Sequence, residues 1–252
     1  MNKDDIKLIM DDFSRNGAVT IEEITKFGVF LYILDKYIKS IHIDPITLLL
    51  WSPMLLKSGH MTGDFLAGIF HYTLDTFNIP GLETEHDNFR KHHKDVMSIE
   101  QCTWAETITE IMPLSTIFLQ GNLCLQTNAL MSIYSIIYSV IGCSSQVAHR
   151  LAHRRTHEYA KDGTKQFYIP DFVKWLQDNE IILSHKHHSK HHRTEVMNYC
   201  IANGSTSRIF DEIIDIFDLP VSTYCNSKCV HTTVSKKTKN EIIKNENETN
   251  GK

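Results

Sequence analysis

The chain lacks the regular cysteine spacing of a secreted disulfide framework. Its six cysteines, Cys102, Cys124, Cys143, Cys200, Cys225 and Cys229, are irregularly placed, which argues for a reducing compartment. No Lys/Arg block is interleaved with aromatics and the formal charge is only −4, so nucleic acid is not an expected partner. The segment MNKDDIKLIMDDFSRNG lacks the basic-then-apolar order of a signal peptide. Cys225-x3-Cys229-x-His231 has no second Cys/His pair behind it, so it reads as incidental thiols in a polar segment rather than a zinc clip. From Thr232 onward, Lys, Asn, Glu and Thr dominate and cannot bury enough apolar surface to fold, which predicts a disordered tail over 232–252.

The mean hydropathy of −0.24 hides apolar runs diluted by polar ones. Residues 24–38 are apolar but carry Lys26, Asp35 and Lys36, a weak span candidate. Residues 45–70 are long enough to cross a bilayer core of about 30 Å if Lys57 to His60 forms a kink or lies at the interface. Residues 108–119 and 123–143 are joined by the uncharged Gln120-Gly121-Asn122 and read as a membrane hairpin. Residues 167–183 are amphipathic and suit either the interface plane or the protein's own core. The expected fold class is all-α: a multi-span membrane helical protein. Its expected organisation is an N-terminal segment with a possible first span (1–42), a main domain (43–205), an amphipathic segment (206–231) and the tail.

Against these absences stands an abundance of histidine, 15 in all. Five fall in HKHHSKHH, from His185 to His192; His149, His153 and His157 repeat every fourth residue; His92-His93 and His71 precede them. Neutral imidazole is a common metal ligand, and His149/His153 and His188/His191/His192 each project from one helical face. With the hairpin crossing twice between His93 and His149, all the clusters return to one side of the membrane. Arg90, Lys91, Arg150, Arg154, Arg155, Lys186, Lys190 and Arg193 accompany them, which places that side in the cytosol by the positive-inside rule. Zinc sites use three or four ligands, and this chain offers enough for two metals. The glutamates and paired Glu-x-x-His motifs of soluble di-iron bundles are not found. Donor chemistry alone therefore predicts a two-metal, histidine-rich membrane site, open to iron, zinc or copper.

GDFLAGIFHYTLD (63–75), RKHHKD (90–95), SQVAHRLAH (145–153) and LQD…HHSKHHRTEVMNYCIANG (176–204) resemble the Kua-type lipid desaturase domain. That family includes plasmanylethanolamine desaturase and the plant plastid enzyme that places a trans double bond in the palmitate of phosphatidylglycerol. The resemblance covers roughly 45–205. It implies a membrane desaturase at the endoplasmic reticulum using two Fe2+ ions, O2 and an external electron donor such as cytochrome b5. The substrate it implies is a phospholipid chain: first the alkyl-ether chain of plasmanylethanolamine, converted to a vinyl ether, and as the alternative an acyl chain. Carried over, the iron ligands are His71, His92, His93, His149, His153, His188, His191 and His192. Asp64, Asp75 and Gln146 match family positions and are expected to orient imidazoles. Animal-type members have histidines near the positions of Glu180 and Glu195, so the substrate is less fixed than the reaction. His86, His157, His185 and His187 have no family counterpart and are expected at the surface or in supporting roles. Outside this family, the weighed readings are a zinc-dependent membrane hydrolase and a metal-binding or scaffolding protein without catalysis.

Overall fold

The computed structural model describes residues 3–125, 128–224, 231–233, 239 and 241–245. Its helices are α1 (Lys3–Asn16), α2 (Ile21–Ser40), α3 (Pro45–Thr76), α4 (Glu83–Lys94), α5 (Trp104–Thr109), α6 (Met112–Cys124), α7 (Ala129–Thr156), α8 (Asp171–Asp178), α9 (His185–Thr194) and α10 (Ser207–Ile216). A 3-10 turn covers Ser98–Gln101, and β1 (Ser222–Tyr224) pairs antiparallel with β2 (His231–Thr233). The all-α expectation holds apart from that short ribbon.

Each long helix begins where the sequence offers a cap. Thr20 and Glu23 close a capping box on α2, Asp44 caps α3 ahead of Pro45, and Asn128 caps α7. α3 runs unbroken through Lys57–His60, so of the two expectations there, a kink or an interface position, the kink is not formed. Pro53 lies inside it and cannot donate to the Leu49 carbonyl; Ser52 Oγ donates there instead, at 3.0 Å. The hairpin turn falls later than predicted. Residues 120–122 belong to α6, and the chain reverses between Leu125 and Asn128. The expected run 108–119 is broken between α5 and α6, where Pro113 opens the second helix. Of 167–183, only Asp171–Asp178 is helical.

α3 and α7 form the main helix pair, and they run in the same direction. Gly59 rests on Ile137 and Gly63 on Ile141, while Ala67 and Ala148 meet further along. A Cβ at Gly59 or Gly63 would lie 2.6 or 2.7 Å from an isoleucine methyl, so these two glycines set the spacing. α6 runs antiparallel to α7, joined by Cys143 to Ser115 at 3.2 Å and Asn122 to Tyr138 at 3.3 Å. α2 packs along α6 through Phe30, Tyr37, Met112 and Leu119. The four helices thus alternate in direction, and one end of the bundle collects the end of α3 and the end of α7.

One buried stripe runs the length of α7 through Ser132, Ser135, Ser139, Cys143, Gln146, His149 and His153, and its second half is buried on further faces through Ser145, Ala148, Arg150, Ala152 and Arg154. Small side chains let the helices close at one end, and larger polar ones fill the other. Among the described residues, one helix, Ala129–Thr156, is long and apolar enough to cross a membrane. Apolar side chains on its neighbours nonetheless face outward: Phe27 and Leu31 on α2, Ile46, Leu49 and Leu50 on α3, and Leu114 and Ile117 on α6.

Within the expected tail, Lys239 is buried and bonds Asp215 at 2.7 Å, and Ile242 and Ile243 pack on the cluster around Phe210 and Ile214. Cys225, Cys229 and most of 232–252 lie outside the described residues.

Candidate metal centre

Four helices deliver the imidazoles to one end of the bundle. α3 supplies His71 and, one turn later, Asp75; α4 supplies His92 and His93; α7 supplies His149 and His153; α9 supplies His188, His191 and His192. They sort into two adjacent groups, each with its donor atoms within 4.8 Å of one another. The first is His92, His149, His153, His188 and His192; the second is His71, Asp75, His93 and His191. All eight histidines singled out by sequence are brought together.

In the first group the Nε2 atoms converge. His149 and His153 are 3.1 Å apart, His153 and His188 2.9 Å, and His188 and His192 2.9 Å. His92 Nε2 is buried without a hydrogen-bond partner. Burial, with the neighbouring imidazoles adding to it, holds His92, His188 and His192 below the usual histidine range. They are therefore neutral, the form that binds metal. In the second group the Asp75 carboxylate lies 3.1 Å from His93 Nε2, 3.2 Å from His71 Nε2 and 3.4 Å from His191 Nε2. Asp75 was expected to orient a ring from behind. It stands instead among the converging atoms, and its i,i+4 spacing from His71 was the signal.

The opposite edges of three rings are tied down. His71 Nδ1 is 3.0 Å from the Tyr199 carbonyl, His191 Nδ1 2.7 Å from the Met197 carbonyl, and His149 Nδ1 3.2 Å from Gln146 Oε1. An Nδ1–H spent on an oxygen leaves the Nε2 lone pair for a metal. The carbonyls sit on a turn shaped by left-handed residues, Glu195 at φ 57° and Asn198 at φ 63°. Asp64 holds the next stretch. Its carboxylate accepts from the backbone N–H groups of Ala202, Asn203, Gly204 and Thr206 at 2.9–3.0 Å, and from Thr206 Oγ1 at 2.7 Å. It thus positions the loop whose carbonyls orient the imidazoles, rather than an imidazole itself.

Among the described residues, the other histidines stand outside both groups. His86 Nδ1 lies 2.6 Å from the Leu74 carbonyl and seats α4 on α3; His187 Nε2 is 3.0 Å from Ser207 Oγ. His157 caps the end of α7 and His185 opens α9. Glu180 and Glu195 both occupy left-handed turn positions.

One network was not foreseen. Arg150 and Arg154 reach Glu100 at 3.1 and 2.6 Å, Arg154 reaches Asp12 at 2.7 Å, and both guanidinium groups lie over the Trp104 ring. These arginines, expected as cytosolic charges accompanying the histidines, are committed to fastening α1 and α5 onto α7. The space beside the imidazoles has a different character. A cavity of about 550 Å³ reaches His92, His149 and Gln146, and Glu22, Glu85, Glu106 and Glu110 line it. A smaller apolar crevice of about 30 Å³ lies between α3, α6 and α7, at Leu66, Phe70, Leu114 and Phe118.

Eight imidazoles and one carboxylate converge in two adjacent sets at the end of a helix bundle, a donor set that could hold metal ions of the imidazole-preferring kind. The lipid desaturase domain model matches residues 60–219, and the chain belongs to that family. It is also similar to three Arabidopsis thaliana proteins. Fatty acid desaturase 4, chloroplastic, is 25% identical over 62% of this chain and 46% of its own length. Fatty acid desaturase 4-like 1, chloroplastic, is 26% identical, with 62% and 50% covered. Fatty acid desaturase 4-like 2, chloroplastic, is 26% identical, with 62% and 53% covered. The chain spans about half the length of these relatives. No solved structure matches it. Family and relatives support an oxidoreductase of the desaturase type.

Proposed function

We propose that the chain is a multi-span membrane desaturase that uses two iron ions and O2 to introduce a double bond into a phospholipid-borne chain. The observation that carries this reading is the pair of adjacent donor groups, five imidazoles beside three imidazoles and Asp75. The unspent His92 Nε2, on a ring that burial keeps neutral, fits a metal ion there. The two groups would hold one iron each, with Asp75 as a ligand of the second.

Desaturation removes two hydrogens from adjacent CH2 groups: with O2, two electrons and two protons, the products are the alkene and two waters. Bound iron supplies the oxygen activation. The chain's own residues fix ring orientation through Tyr199, Met197 and Gln146, and its apolar walls keep the reacting carbons from water. The electrons come from an external donor of the cytochrome b5 kind. The outward apolar side chains of α2, α3 and α6 support four crossings rather than one, with the metal end facing the cytosol. Lys57, exposed on α3, has a stem long enough to carry its ammonium toward the interface.

The first substrate reading is an alkyl-ether phospholipid converted to a vinyl ether at the endoplasmic reticulum. The second, an acyl chain, is favoured by the names of the chloroplastic relatives. Lipid mass spectrometry decides between them, in cells lacking vinyl-ether synthesis that express the chain and receive an alkyl-lipid precursor. Acid-labile products two hydrogens lighter support the first reading, and a new acyl double bond supports the second. No change in either pool, with iron-loaded protein present, overturns the proposal.

A further inference from the structure

The cavity beside the imidazoles is lined by five glutamates and only two lysines. Lys26 is committed to Glu22 at 2.6 Å, and Lys91 donates to Gln101 Oε1 at 2.9 Å. Glu106 caps α5 by accepting from the Thr103 N–H at 2.6 Å. Glu85 and Glu110 also line the cavity; among the described residues neither carboxyl accepts a hydrogen bond, and burial together with the Glu85 charge raises the Glu110 carboxyl to about 7, a shift that a bound cation would reverse.

The inner end carries the opposite polarity. Gln146 is 3% exposed, and its Oε1 is used by His149 Nδ1 at 3.2 Å. That contact fixes which way the amide faces, because the Nδ1–H needs an acceptor if Nε2 is to bind metal. Gln146 Nε2 is left buried with no partner at the cavity's edge. A buried donor without an acceptor is costly, so Gln146 Nε2 offers a hydrogen bond to an oxygen that enters the cavity.

The desaturase reading, on which this inference rests, requires a lipid head close to the metal. A vinyl ether forms at the carbon bonded to the glycerol oxygen, so the head cannot be far from the imidazoles. We propose that the cavity is the head-group site and selects amine-bearing phospholipids, Gln146 donating to a glycerol or phosphate oxygen and Glu110 with Glu85 receiving the ammonium. Its volume suits a polar head with part of the glycerol backbone. The apolar crevice is lined by chain neighbours of the same residues: Gly142 lies one turn before Gln146, and Ile111 follows Glu110. A head group of net negative charge would meet like charge at Glu85 and Glu110.

The test is lipid retention, read without turnover. Full-length protein is purified in detergent, mixed with equal amounts of ethanolamine, choline and glycerol phospholipids of identical chains, repurified, and its bound lipid quantified by mass spectrometry. Amine-bearing lipids should be retained roughly tenfold over phosphatidylglycerol. Glu110→Lys and, independently on α4, Glu85→Lys should abolish or reverse that preference with iron content unchanged. Gln146→Leu should lower retention of all three classes alike. Equal retention by the unaltered chain, or a preference untouched by both charge reversals, overturns the head-group site. A parallel desaturation assay separates the two claims: selective retention without turnover removes the enzyme reading alone, and turnover with equal retention removes only this one.

Discussion

The two ends of the bundle obey opposite rules of burial. At the metal end His71, His191, Asp64 and Arg150 are fully buried, whereas at the other end Leu49 and Leu50 are each 73% exposed. A water-soluble core reverses neither preference, since isolated charge is costly inside and contiguous apolar patches are rare outside. At one end, polar groups are buried because they satisfy one another and their ring nitrogens converge. At the other, apolar groups face outward, as they would if hydrocarbon were the solvent they match. α7 carries both rules along one helix, from exposed Met131 and Val140 to buried His149 and His153.

The largest expected effect comes from emptying the five-imidazole group. His153 lies within 3.1 Å of both His149 and His188, so His153→Ala opens a gap at its centre. Elemental analysis should find about one iron per chain rather than two, and desaturation should fall at least ~100-fold. Two irons retained with full activity would refute the assignment of that group. Asp75→Asn is the sharper variant, because it preserves shape and removes only charge. If Asp75 ligates, the second iron weakens and activity falls ~10–100-fold while the five-imidazole iron remains. An unchanged iron affinity would return Asp75 to the orienting role first expected of it.

The structure was legible in the sequence to different depths at the two ends. The histidines announced the metal end because a ligand must be a particular residue type, and helical spacing already placed His149 with His153 and His188 with His192. What spacing could not supply was how four helices register against one another. For that reason, the division into two groups, the entry of Asp75 and the loop-holding role of Asp64 were missed. The hairpin turn was misplaced for a related reason: Gln120-Gly121-Asn122 looks like a turn by composition, yet Asn128 offers the better cap and the helix runs on to reach it. The Arg150–Glu100–Arg154 network joins residues 50 or more positions apart, and charge counting saw only loop cations.

Between the two ends, the α3–α7 seam carries an intermediate effect. Gly63→Leu places side-chain atoms where Ile141 already stands, so the helices must separate and the ligands on them shift. Overpacking of this kind costs ~1–3 kcal/mol, a fall in melting temperature of several degrees, with metal retention weakened alongside. Gly121→Leu is the matched control, because a Cβ at Gly121 meets nothing within 4 Å. Equal melting temperatures for the two variants would show that the close approach at Gly63 is not what spaces the bundle.

The smallest effect on the fold, and the most pointed test of the apolar end, is expected from Leu49→Asn with Leu50→Asn. Both side chains project from α3 without packing partners that explain their exposure. In detergent, each substitution should shift stability by no more than ~0.5 kcal/mol, as at an ordinary surface. In a bilayer the same change puts two amides against hydrocarbon, so the fraction of chain recovered in the membrane after expression should drop while iron content per folded molecule stays the same. If the double variant instead yields a monodisperse, iron-bound protein without detergent, as readily as the unaltered chain, lipid is not the solvent of this surface. The exposed leucines would then mark a protein interface, and the contrast between the two ends would need a different cause.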